Sequence, residues 1–152
     1  MKTTTIKKVL IAMDYSETAQ TVAEKGFSIA KALNAETILL HVISELPVYY
    51  SSYAYMHELQ VEVSPDVRKS TQEFLIKVKK HLGDESIQTV LKDGVDIATT
   101  ILDTAKVLNV DLIVIGSHSR KWLEDIIMGS EVAEVLRKTT IPLYVIPTKK
   151  QK

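Results

Sequence analysis

Cysteine is absent from the 152 residues of this chain. Disulfides, zinc–thiolate sites and cysteine nucleophiles are therefore excluded. The composition fits a reducing compartment, and the cytoplasm is the expected location. Net charge is absent too, since 19 basic side chains offset 19 acidic ones. Domains that grip nucleic acid or an anionic membrane carry a basic surplus. Here only Lys149, Lys150 and Lys152 form a short basic tail, so neither nucleic acid nor membrane is an expected partner. No apolar run approaches the ~20 residues that span a bilayer. Several chemical motifs are missing as well. There is no Gly-x-x-x-x-Gly-Lys-Ser/Thr phosphate loop and no Gly-x-Gly-x-x-Gly after the first strand. The Gly-x-Ser-x-Gly elbow of serine hydrolases is missing. The first strand lacks the paired acids of a phosphoacceptor domain, and no histidine–carboxylate cluster has metal-ligand spacing.

What is present is an alternation of apolar runs with amphipathic stretches, in a length that suits one domain with a sizeable core. Val9-Leu10-Ile11-Ala12-Met13 is an apolar run of strand length, as in parallel strands buried on both faces. Ser16 offers an N-cap to a helix whose inner face is Ala19, Val22, Ala23, Phe27, Ala30 and Leu33, with Asn34 ending it. Thr37 to Ile43 reads as the second strand. Ser64-Pro65-Asp66 opens a helix lined by Val67, Phe74, Leu75, Val78 and Leu82, and Gly83 stops it. Ile87 to Leu91 reads as a third, edge strand, and Asp93-Gly94 as a turn. Ile97, Ile101, Leu102, Ala105 and Leu108 mark another helix. Asp111 to Ile115 is the fourth strand, Ser130 to about Lys138 the last helix, and Pro142 to Pro147 the last strand.

The order βαβαβαβαβ demands an α/β fold with a parallel sheet, helices on both faces and right-handed crossovers. Such sheets bind ligands beyond the carboxyl ends of their strands, where the strand order reverses. Met13-Asp14, Val42 and Gly116 all fall at such ends. The stretch from Ser44 to Val63 has little periodicity and holds Tyr49, Tyr50, Tyr53 and Tyr55. It is either a loop or short helix packed over the sheet edge, or a lid or partner surface.

Two glycines frame the most informative segment. Gly116 ends a buried strand and is followed by Ser117, His118, Ser119, Arg120 and Lys121, while Gly129-Ser130 opens a helix. Backbone N–H groups and the Ser130 hydroxyl could hold an anion there, with Arg120 and Lys121 at the rim. On spacing alone, a tight turn at Gly116 and an ordinary helix cap at Ser130 are the favoured reading. Asp14 could accept hydrogen bonds from ribose hydroxyls or a base amine, or brace the first turn together with Ser16. His118 suits backbone bonding better than catalysis, and His41, inside a strand, suits a structural role. Trp122 suits packing under the loop.

Together these segments resemble the universal stress protein family. The resemblance rests on Val9 to Asp14 with Ser16, Leu40-His41-Val42, Asp93-Gly94, the Asp111 to Gly116 strand and Gly129-Ser130 through Ile146. It implies a Rossmann-like, adenine nucleotide alpha hydrolase-like single domain over residues 1–152, with strand order 3-2-1-4-5. The family motif runs Gly, two residues, Gly, nine residues, Gly, then Ser or Thr. Here it begins at Gly116 and ends at Gly129-Ser130 with intact spacing, but the second glycine is Ser119. By resemblance, Met13 and Val42 border an adenine, Asp14 meets the ribose or base, and Gly116, Ser119, Gly129 and Ser130 surround phosphates. Glu131, in the first turn of the last helix, is a second departure. The resemblance implies a dimer, paired through Leu143 to Ile146, that binds ATP, with or without Mg2+, as a conformational ligand and hydrolyses it slowly at most. A second reading is a dimer that has lost ATP and works through protein partners.

Overall fold

The computed structural model describes residues 1–44, 65–117 and 130–148. Along them run β1 (Lys8–Ala12), α1 (Ala19–Ala32), β2 (Glu36–Ser44), α2 (Pro65–Leu82), β3 (Gln88–Gly94), α3 (Ile97–Val107), β4 (Leu112–Gly116), α4 (Ser130–Lys138) and β5 (Leu143–Ile146). The strands form one sheet in the order β3-β2-β1-β4-β5. Every neighbouring pair is parallel, with Ile11 beside Leu39 on one side and Val114 on the other. Alternation and strand order are as expected.

The apolar run of β1 follows from its central place. Val9, Leu10 and Ile11 are 0% exposed, because successive side chains enter opposite cores. Val9 and Ile11 join Val22, Ala23 and Ala30 of α1 with Leu75 and Val78 of α2. Leu10 and Ala12 join Ile101, Leu102 and Ala105 of α3 with Val132 and Val135 of α4. Helix α1 lies so close to the sheet that a Cβ on Gly26 would stand 2.8 Å from Cδ1 of Ile11. The more polar β3 sits at the sheet edge, as its composition predicts.

Several local expectations need correction. Helix α1 starts at Ala19 with Thr18 as N-cap. Ser16 does not cap it, because its Oγ is held by Asp14 Oδ1 at 2.5 Å and Thr18 Oγ1 at 2.9 Å. Asp93-Gly94 does not turn the chain; both residues continue β3 opposite Ile43 and Ser44. Leu33 and Val67 are not core residues, for the first is the C-cap of α1 and both are exposed. The tyrosine-rich stretch lies outside the described residues from position 45 onward.

Asn34 and Asn109 close two helices by the same device. Each is left-handed, with φ of 54° and 55°. After α1, Asn34 N–H donates to Lys31 O and Ala35 N–H to Ala30 O; after α3, Asn109 donates to Lys106 O and Val110 to Ala105 O. This paired pattern satisfies carbonyls that the helix leaves open. Replacing Asn109 by Ala puts a poorly tolerated residue at positive φ and is expected to cost about 1 kcal/mol, whereas Asn109→Gly is expected to be neutral or slightly stabilising. Urea unfolding of both variants checks the order.

Candidate functional site

Strands leave β1 in opposite directions across the sheet, to β2 and β3 on one side and to β4 and β5 on the other. Helices following β1 and β4 therefore cover opposite faces, and a crevice opens at the carboxyl ends between them. The structure has a cavity of about 640 Å³ at this point, within the ~300–1,000 Å³ range of small-molecule sites. Met13, Asp14 and Tyr15 line it beyond β1, Leu40 to Ser44 along β2, and Ile115 and Gly116 at the end of β4. Thr18 and Val22 of α1, Asp66, Val67, Ser70 and Thr71 of α2, Ile97 and Ile101 of α3, and Glu131 of α4 complete it.

The structure thus brings together Met13, Asp14, Val42, Gly116 and Glu131 from the residues singled out in the sequence. Ser117 is adjacent but turned to a different task. Its N–H donates to Ile146 O at 2.8 Å, and its Oγ accepts from Thr148 N at 3.0 Å. It ties the end of β4 to the chain just beyond β5 and is not a wall of the cavity. Ser130 opens α4 as expected. His118, Ser119, Arg120, Lys121 and Gly129 lie outside the described residues, and so does Trp122.

Gly116 has a packing reason to be glycine. A Cβ there would stand 2.9 Å from Val22 Cγ2 and 3.0 Å from Thr148 Cγ2. Its φ is not in the left-handed region, where Gly83 is the glycine found among the described residues. Space rather than a sharp turn restricts this position.

The Asp14 carboxylate has the second of the roles considered for it, bracing the first turn, and it also lines the cavity. Its Oδ1 accepts from Ser16 N at 3.2 Å and Ser16 Oγ at 2.5 Å. Burial raises its pKa above the ordinary carboxylate value; the Ser16 bonds and nearby His41 only partly oppose this. His41 Nδ1 lies 2.7 Å from Met13 O. Burial lowers the pKa of His41, against the pull of the Met13 carbonyl and Asp14, so the ring is neutral at pH 7. Tyr15 sets its ring edge-on to His41 and tilted against Phe74, 4.7 Å between centroids in the latter pair.

Sequence reasoning missed the wall supplied by α2 (Asp66, Ser70 and Thr71), and it missed His41 as a cavity residue. A polar ring inside the apolar run from Ile38 to Ile43, two positions before the strand end, was the available signal for His41. No local signal marks the α2 residues, since only topology carries that helix to the crevice.

A parallel sheet covered by helices on both faces, with a crevice at its switch point, defines a doubly wound α/β domain. The chain belongs to the universal stress protein family, whose family model matches residues 5–147. It is 31% identical over 160 residues to universal stress protein MJ0577 of Methanocaldococcus jannaschii, covering 94% of this chain and 96% of that one. A solved structure of MJ0577 superposes with a TM-score of 0.74 at 27% identity, covering 97% of this chain and 100% of that one. The fold also matches a universal stress protein in complex with cAMP (TM-score 0.68, 17% identity, 95% of this chain and 99% of that one). A universal stress protein from Archaeoglobus fulgidus in complex with dAMP gives 0.66 at 17%, covering 94% and 99%. Among the described residues no helix is long and apolar enough to cross a membrane.

The two shifted groups make opposite contributions to stability with pH. Asp14 holds its proton more tightly in the folded chain than in the unfolded one. Its contribution is full below the unfolded pKa and is lost as pH rises through the folded value. His41, with its pKa lowered, contributes fully above the unfolded pKa and loses this as pH falls through the folded value. Asp14→Asn removes the first effect and keeps an acceptor for Ser16. Its expected signature is a melting temperature above wild type at pH 7, with the gain vanishing near pH 3. Thermal melts across this range check it, and equal curves at pH 7 would show that the carboxylate carries no burial cost.

Proposed function

We propose that this chain is a cytoplasmic adenine-nucleotide-binding stress-response module that senses ATP or a related nucleotide as a dimer. The observation that carries the reading is the convergence of Met13, Asp14, Val42, Gly116 and Glu131, from four separate segments, on one cavity at the switch point. Its residues fit the nucleoside end of such a ligand. Met13, Val42 and Ile115 offer apolar walls for a purine, and Asp14 offers acceptor oxygens to ribose hydroxyls or a base amine. The complexes of related proteins with cAMP and dAMP support the same ligand class.

The phosphate end must be held elsewhere. Among the described residues, the Asp, Glu, Lys and Arg lining the cavity are Asp14, Asp66 and Glu131, all acidic. Phosphates would rest on the backbone at Gly116 and Gly129, on Ser119 and Ser130, and on the charges of Arg120 and Lys121. Mg2+ bound with ATP would offset the acids. Slow hydrolysis is the most this reading assigns to the site, with Asp14 and His118 as the general-base candidates singled out in the sequence.

Isothermal titration with ATP and Mg2+ tests the reading, and no heat together with no thermal shift at millimolar ATP would sink it. Two substitutions then report on the phosphate end. Ser119→Gly is expected to tighten ATP binding by up to about tenfold, equivalent to ~1.4 kcal/mol, if position 119 requires positive φ. Glu131→Gln is expected to tighten ATP by a few-fold and leave adenosine unchanged, because one like charge is removed from beside the phosphates.

The dimer would form through β5, which is an edge strand. Tyr144 on it is 48% exposed, with Leu143 and Val145 only half-buried, and apolar edges tend to be covered or paired. Light scattering at micromolar concentration is expected to give twice the chain mass, and a monomer mass would contradict the dimer.

A further inference from the structure

We propose that His41 is a ligand-contacting residue of this cavity, whose Nε2 accepts a hydrogen bond from an N–H or O–H group of the bound molecule. The proposal rests on the nucleotide reading above and names the side chain that would select the ligand's donor. Three observations carry it. First, the ring tautomer is set by the backbone. Nδ1 lies 2.7 Å from the Met13 carbonyl oxygen, which can only accept, so Nδ1 carries the proton. In a neutral imidazole, Nε2 is then a bare acceptor. Second, His41 lines the cavity and is half-buried. Among the described residues, its ring is hydrogen-bonded through Nδ1. With Nδ1 committed to the Met13 carbonyl, Nε2 is the remaining polar atom of a ring that lines the cavity. Third, among the described residues the charged groups lining the same cavity are Asp14, Asp66 and Glu131. As carboxylates they are acceptors too, so the cavity presents acceptors and favours a ligand that brings donors.

The Tyr15 ring, edge-on to His41, and the Met13 bond together hold the imidazole in place. An acceptor fixed by a β-strand and a carbonyl loses little freedom on binding, which favours selectivity over adaptability. The ligand donor of this chemistry is either the exocyclic amine of an aminopurine or a ribose hydroxyl.

Two isosteric substitutions separate contact from scaffolding. In His41→Asn the amide reaches the Nδ1 position and can still donate to Met13 O, but nothing remains at Nε2. In His41→Gln the amide oxygen reaches the Nε2 position, and the Met13 bond is given up. Titrations would use ATP, inosine triphosphate, which lacks the amine, and 2′-deoxy-ATP, each with Mg2+. The expected result is a loss of about five- to tenfold in ATP affinity for His41→Asn, with His41→Gln within about twofold of wild type. The gap between ATP and inosine triphosphate collapses in His41→Asn if the amine is the donor; the gap between ATP and 2′-deoxy-ATP collapses if the hydroxyl is. The reverse order, with Asn tolerated and Gln damaging, would make His41 a support for Met13 and overturn the proposal. Equal effects of the two variants with both gaps unchanged would also overturn it. A wild-type chain that binds none of the three nucleotides overturns the nucleotide reading itself, which the His41 variants alone cannot do. A measurement on unaltered protein guards against variants that do not fold. Long-range nitrogen–proton spectra should show the His41 Nε2 resonance moving toward the hydrogen-bonded range on ATP addition, and a resonance that stays in place during saturating binding removes the contact.

Discussion

Everything in this molecule depends on the burial of β1 on both faces. A strand that is 0% exposed at Val9, Leu10 and Ile11 must pair on both edges and be roofed on both sides. Parallel pairing with β2 and β4 satisfies its backbone, and two helix layers satisfy its side chains. Parallel neighbours cannot be joined by tight turns, so each connection is a crossover with a helix. Where the chain changes direction across the sheet, successive crossovers go to opposite faces and cannot close over the strand ends. The crevice is thus a geometric by-product of satisfying one central strand. Met13 and Asp14, which follow that strand, stand at its mouth.

That origin explains the mixture of roles at the site. Ser16 forgoes capping α1 because it braces Asp14. His41 uses one ring nitrogen to hold the Met13 carbonyl just beyond β1, and the residue lines the cavity. Ser117 secures β4 to the chain beyond β5, and Gly116 lets Val22 and Thr148 approach. The carboxylate of Asp14 is held where burial disfavours its charge. Groups kept under such a cost belong more often to binding or catalytic sites than to scaffolding. A ligand that brings hydrogen-bond donors to Asp14 would relieve it.

The periodic signals proved legible where burial is extreme. Continuous apolar runs identified the central strands, because both faces of a parallel sheet are dry. The alternation of strands and helices then gave a parallel sheet with helices on both faces, while the strand order came from the family resemblance. Boundaries were less legible. Ser16 looked like a cap until a neighbouring carboxylate claimed its hydroxyl, and Asp93-Gly94 looked like a turn although the register with Ile43 and Ser44 extends β3. The causes differ: the Ser16 hydroxyl is taken by a carboxylate two residues away, whereas the turn preference of Asp93-Gly94 is overruled by pairing with a distant strand. Among site residues, Met13, Asp14, Val42, Gly116 and Glu131 were found because strand ends and a helix start are visible in sequence. The wall from α2 was not, since nothing in Asp66, Ser70 or Thr71 refers to a crevice.

By itself the sequence determined the α/β class, the parallel sheet and the segments whose ends meet, because these follow from hydrophobic period and chain chirality, which are local; the strand order it carried only through family resemblance. Tertiary structure alone decided what each polar group does: which face of His41 is occupied, which hydroxyl supports Asp14, why Gly116 admits no methyl, and which helix supplies the far wall. Those outcomes depend on contacts between residues remote in the chain, and hydrogen bonding and excluded volume act on distance in space rather than on spacing in sequence.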